Sequence, residues 1–220
     1  MAEPIALVKQ DALTGLPGYN SFLSDIAVQI QRAQASEGNL SIALVDIDHF
    51  GAVNEAHGSE AGDEIISLLS KALVSVADAQ NTVYRYGGDA FMILFSTTEK
   101  EQAFLKTEEA RKAFEGNHEI RSGDHTITLE LAVSCGVASY PDDATSESVL
   151  IRKCHEALYR AKVSGRNKVC IAREEKMVTK TVHYTQGQLE GLTRLARREG
   201  INEASLLREG LDDLLHKHNS

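Results

Sequence analysis

Apolar residues along the chain fall into two kinds of run. Continuous or alternating runs predict strands at 40–48 (LSIALVDID), 82–86 (TVYRY), 90–95 (AFMILF), 126–140 (TITLELAVSCGVASY) and 168–172 (KVCIA). Between them, apolar positions recur every three or four residues over 19–36, 59–77, 100–114 and 148–165, the spacing of amphipathic helices. Helices and strands alternate, which by itself fits a parallel doubly wound sheet. The Gly87–Gly88–Asp89 turn, however, joins two strands as a hairpin, so a mostly antiparallel central sheet covered by helices is expected.

The pattern breaks at 172–180 (AREEKMVTK), a charged cluster. This predicts a main domain over 1–172, a linker at 173–177 and a small module over 178–220. The module opens with one short alternating strand, VTKTVHYT, followed by two helical stretches split by Gly200. So small a unit buries little core alone, and it is expected to dimerise.

Composition narrows the class. The hydrophobic fraction of 42% suits a globular chain with a core. No run approaches the roughly 20 apolar residues of a membrane span, and the N-terminus (MAEPIALVKQDALTG) lacks the pattern of a secretory signal. The three cysteines, Cys135, Cys154 and Cys170, lie in apolar segments without metal-type spacing and read as reduced core thiols. A cytoplasmic protein with no membrane partner is the expectation. The net charge of −9 is uneven: residues 1–175 carry −10 and residues 176–220 carry +1. The main domain therefore does not attract nucleic acid nonspecifically, while the tail does not repel it.

Candidate chemistry gathers at the hairpin. Asp89 projects from its tip, and the strand ending in VDID carries Asp46 and Asp48 at a spacing of two, hence on one face if the strand continues. An acid from each strand is positioned to grip a divalent cation bound to a nucleotide phosphate. Lys162 and Arg166, four apart, would share one helix face. Taken alone these are common patterns: GGD is an ordinary turn, and acids often end strands.

Five blocks in order change the weighting: DALTGLPGYNSF (11–22), DIDHFGAVNEAHGSEAGDEII (46–66), RYGGDAF (85–91), VSCGVASYPDD (133–143) and EALYRAKVSGRNKV (156–169). Together they resemble the GGDEF family, the diguanylate cyclases, over about residues 11–172. The resemblance implies a palm-like α/β fold with a mostly antiparallel central sheet and flanking helices. It also implies cyclic di-GMP signalling, through condensation of two GTP molecules, one per subunit of a homodimer, to cyclic di-GMP and pyrophosphate. Carried over residue by residue, it makes Asp46, the Ile47 carbonyl and Asp89 the metal ligands, for Mg2+ or Mn2+ held with GTP. Asn54 and Asp63 become the guanine readers, Lys162 and Arg166 the cations on the terminal phosphates, and Gly87 and Gly88 the backbone beside the nucleotide.

The departures are equally specific. Ala90 stands where the family has its glutamate, Gly51 where it usually has lysine, Ser59 where it usually has histidine, and LPGYN where LPNRR is usual. Asp78 and Asn81 occupy the positions of an arginine and an aspartate that bind product in many members; an aspartate there repels a cyclic dinucleotide. Loss of outer support alone at a metal site typically costs roughly 10–100-fold, so loss of a family acid predicts a nucleotide binder with little cyclase activity.

The tail resembles a ribbon–helix–helix domain. Thr185 and Gln188 form a T-x-x-Q capping box, Leu189, Leu192, Leu195 and Ala196 a first apolar stripe, and Leu206, Leu207, Leu211, Leu214 and Leu215 a second. That resemblance implies two chains pairing their strands into a ribbon that enters the major groove of DNA. Thr179, Thr181 and His183 would face bases, with Asn202 at the N-terminus of the second helix near phosphate. The expected function is a dimeric, guanine-nucleotide-binding regulator that contacts DNA. The alternative is a cyclase weakened by Ala90 whose tail serves only to dimerise.

Overall fold

The computed structural model describes residues 10–36, 38–78, 80–123, 125–173, 181–199 and 202–218. The chain divides into two compact units between Glu174 and Glu175.

In the first unit the elements run α1 (Tyr19–Ser36), β1 (Leu40–Ile47), α2 (Phe50–His57), α3 (Ser59–Val76), β2 (Asn81–Gly87), β3 (Ala90–Ser96), α4 (Lys100–Phe114), β4 (Gly116–Ser122), β5 (His125–Leu131), β6 (Val133–Tyr140), α5 (Glu147–Val163) and β7 (Val169–Ile171). The central sheet has the order β2-β3-β1-β6-β7. Its first three pairings are antiparallel and β6–β7 is parallel, so the sheet is mixed.

β1 explains why its sequence is continuously apolar. Ala43, Val45 and Ile47 belong to one core with Ile65 and Leu69 of α3 and Phe114 of α4. Leu40, Ile42 and Leu44 belong to the other, with Phe22 and Ile26 of α1 and Leu150 and Leu158 of α5. A strand covered on both faces has no polar side to alternate with. α5 lies directly on β6 because Gly136 has no side chain; a Cβ there would run into the Cys154 carbonyl and the Leu158 N–H.

One expectation needs correction, and two elements were not predicted. The run 126–140 is two strands: β5 pairs with β4 in a separate two-stranded sheet, and β6 enters the central sheet beside β1. The burial pattern changes at the break, from exposed Thr126, Thr128 and Glu130 to a β6 buried along nearly all its length. β4 (GNHEIRS), with Ile120 as its one large apolar residue, carried no hydrophobic signal, and the two-turn α2 was too short to register one.

In the second unit α6 (Gln186–Glu199) and α7 (Glu203–His218) are formed. The expected capping box opens α6: Thr185 N–H donates to Gln188 Oε1 at 2.9 Å, and Gln188 N–H to Thr185 Oγ1 at 3.3 Å. The Asn202 carbonyl accepts from Leu206 N–H at the start of α7, and Thr193 donates to Glu203 at 2.6 Å between the helices. The expected strand is absent over 181–185, which carry no regular structure, since a lone strand has no partner for its backbone groups. Thr181 and His183 are exposed there; Thr179, the rest of that strand and Gly200 lie outside the described residues.

Candidate nucleotide site

The register of β1 and β3 builds the site. Asp46 is the direct partner of Ala90, and such partners hold their Cβ atoms about 4.5–5.5 Å apart. Gly87 pairs with Ala90, which leaves Gly88–Asp89 as a two-residue turn. The φ angles of Gly87 and Gly88, 146° and 55°, lie where L side chains are strained. Arg85 braces this hairpin: its guanidinium lies over the Phe91 ring at 4.9 Å and donates to the Gly88 carbonyl. Asp89 is thereby held half-exposed at the tip.

Asp46 shares its sheet face with Ile42 and Leu44, the face covered by α5, and this brings Lys162 to it. The Lys162 ammonium lies 2.6 Å from Asp46 Oδ1. Burial raises the Asp46 pKa, with the charges of Asp89 and Asp48 adding to the rise, while Lys162 pulls it down. Ile47 is buried on the opposite face.

Asp48 does not share that face. β1 ends at Ile47, and the Asp48 carboxylate turns inward, accepting from Ser134 Oγ at 2.7 Å and from Asn167 N–H at 3.0 Å. Arg166 is likewise not on the Lys162 helix face. α5 stops at Val163, Gly165 follows with φ 107°, and Arg166 N–H returns to the Ala161 carbonyl at 3.0 Å, a Schellman closure. Arg166 is exposed on the loop beyond.

That loop is locked by residues the sequence did not single out. Arg166 and Asn167 both have positive φ, an uncommon state for non-glycine residues that needs support from around it. Arg111, nearly buried on α4, donates to Asn167 Oδ1 at 2.5 Å, and Asn167 Nδ2 donates to Glu115 at 2.6 Å. A charged arginine inside an amphipathic stripe was the available signal for this lock.

The remaining candidates lie on α2 and α3. Asn54 is half-buried and Asp63 is exposed, within electrostatic range of Arg85, which is also in range of Asp89. Among the described residues no three acidic, histidine or cysteine side chains converge as a metal cage. At the position of the family's product-binding pair, Asp78 is ion-paired with Lys106 at 2.5 Å, and that hydrogen bond holds its carboxyl below the ordinary range.

The family model of the diguanylate cyclase GGDEF domain matches residues 8–168. A diguanylate cyclase of Vibrio cholerae is 30% identical over 168 residues, which cover 76% of this chain and 51% of that protein. Diguanylate cyclase A of Treponema denticola is 31% identical over 155 residues, 70% of this chain and 41% of that protein. Among solved structures, the GGDEF domain of DgcB from Caulobacter crescentus, in complex with c-di-GMP, superposes with a TM-score of 0.70 at 26% identity, covering 78% of this chain and 99% of that one. The active GGEEF domain of a diguanylate cyclase from Vibrio cholerae gives 0.64 at 29% identity, covering 72% and 98%. The chain belongs to the GGDEF, diguanylate cyclase, family. It spans about half or less of the length of these curated relatives.

Proposed function

We propose that the main unit binds a guanine nucleotide with little cyclase turnover, and that the tail joins two chains into a dimer that contacts DNA. The observation that carries the first half is the pairing of Asp46 with Ala90: a methyl group stands beside the acid where a carboxylate would complete the set. Asp46, Asp89 and the Ile47 carbonyl are oxygen donors. Magnesium commonly binds through one or two carboxylates together with substrate phosphates, so these residues fit a Mg2+ or Mn2+ ion that arrives with a nucleotide. Such an ion supplies charge neutralisation at the phosphates.

The chain's own residues do the rest. Lys162 offsets part of the effect of burial on Asp46 and, with Arg166, offers positive charge to the terminal phosphates. The Asn54 amide and the Asp63 carboxylate match guanine's O6 acceptor and its N1–H and N2–H donors. Ala90 offers no carboxylate to the attacking 3′-hydroxyl.

Calorimetry with GTP, ATP and cyclic di-GMP, alongside an assay for product, tests this half. GTP is expected to bind in preference to ATP, and more tightly with a divalent cation. Cyclic di-GMP is expected to bind poorly, since Asp78 sits in an ion pair where a cation would be needed. Robust turnover, or tight cyclic di-GMP binding without GTP binding, overturns the reading.

For the tail, the support is its exposed leucines and the exposed Thr181 and His183 ahead of α6. Pairing two tails would supply the neighbour strand that 181–185 lack. A tail that only dimerises is the second reading, favoured by its net charge of +1. Selection from a random DNA pool at low salt separates the two. Enrichment that weakens with salt, and that Thr181→Ala with His183→Ala relaxes without dissolving the dimer, supports DNA reading. A dimer that enriches nothing is a clasp alone.

A further inference from the structure

The Asn54 side chain rests on a bare patch of α3. Its Oδ1 is buried and has no hydrogen-bond partner. Beneath it is Gly62: a Cβ there would stand 3.0 Å from Asn54 Cγ and 3.0 Å from Phe50 Cζ, and closer still to Oδ1. Helix propensity alone favours alanine over glycine at such a helical position, so the missing side chain serves the contact with α2.

We propose that Gly62 is a specificity-determining residue of the base-reading site, acting by setting which end of the Asn54 carboxamide faces out. The inference rests on the assignment of Asn54 and Asp63 as base readers. A carboxamide lying flat on α3 turns either its oxygen or its NH2 group inward. An inward NH2 buries donors with no acceptor, whereas an inward oxygen is an under-satisfied acceptor, the milder fault. The pad therefore turns the NH2 outward as a donor. Guanine presents the O6 acceptor to such a donor; adenine presents its N6 amino group, donor against donor. Asp63, the next residue of α3, is exposed and accepts from N1–H and N2–H. Adjacent positions on one helix thus set both halves of the reading: Gly62 by having no side chain, Asp63 by having a carboxylate.

The test is calorimetry on the full chain with GTP, ITP and ATP, comparing Gly62→Ala, Asn54→Ala and the double variant. Gly62→Ala is expected to weaken GTP roughly tenfold, the loss of about one hydrogen bond, with ATP little changed. ITP, which keeps O6 but lacks the 2-amino group, is expected to weaken in parallel with GTP. The double variant is expected to lose no more than Asn54→Ala alone, because both changes act on one contact. An unchanged GTP-to-ATP ratio in Gly62→Ala, or losses that add, overturns the role of Gly62 and leaves the base readers standing. Absence of GTP preference in the unaltered chain defeats the base-reading assignment itself, and this inference with it. Should Gly62→Ala not fold, Asn54→Asp keeps the shape and removes the outward donor; a GTP affinity that it leaves unchanged overturns the inference.

Discussion

Leu94 on β3 and Leu214 on α7 are the same side chain in opposite situations, 2% and 53% exposed. Leu94 lies in a strand covered by helices of its own chain. Around Leu214, Leu207 and Leu211 are exposed as well, and no described residue of the second unit is fully buried. The first unit closes its apolar surface within one chain. The second leaves a stripe of leucines exposed, and a pre-helical segment, 181–185, without a strand neighbour among the described residues. Two lengths of chain with similar apolar patterning thus differ in how much of it their own fold covers.

The largest effect expected from breaking this contrast is in the first core. Phe91→Ala, at a fully buried position, should cost about 3–5 kcal/mol. Denaturant unfolding should show the loss in the main unit while the chain remains dimeric. Simultaneous loss of the dimer would mean that the two units are not independent.

Leu211→Asp probes the other side. It places a charge in the stripe a partner would cover, and should weaken association roughly a hundredfold or more. Sedimentation should report monomer, with main-unit unfolding unchanged because Leu211 is 55% exposed. An unaltered dimer would show that the leucine stripe is not the interface.

Ala90→Glu joins the two regions. Restoring the acid opposite Asp46 should raise cyclic di-GMP formation by roughly 10–100-fold or more. Because the family reaction takes one GTP from each of two chains, adding Leu211→Asp should remove much of that gain. Turnover that ignores the tail would detach its dimerisation from the site.

The smallest effect concerns Asp46. Burial sets its folded pKa above the unfolded value, so its stabilising contribution is present below the unfolded value and lost as pH rises through the folded one. Each unit of separation is worth about 1.4 kcal/mol. Lys162→Met removes the opposing ammonium, so the Asp46 titration, followed by carboxyl NMR, should move upward. A downward move would mean that Lys162 does not govern this carboxylate.

Much of this was legible from pattern. α1 and α4 fall where their apolar spacing placed them, and the positive φ values at Gly87 and Gly88 follow from the tight turn that joins β2 to β3. β4 was not legible, because a strand held by backbone pairing and one buried isoleucine leaves little apolar trace. Asp48 and Arg166 were misplaced for a common reason. Residue spacing describes a side chain's direction only while the element continues, and β1 stops at Ile47 as α5 stops at Val163.

What the sequence by itself determined is the inventory: where the longer helices fall, that a family acid is missing at Ala90, that the tail has apolar stripes and little net charge. These depend on local periodicity and residue identity, which are properties of short stretches. Only the tertiary structure decided that Ala90 faces Asp46, that Lys162 reaches the same carboxylate, that Arg111 locks the Arg166 loop through Asn167, and that Asn54 lies on Gly62. Each of these joins residues that pattern alone does not relate, through strand register and helix packing, and those are settled by how two faces of one sheet bury their apolar surface at once.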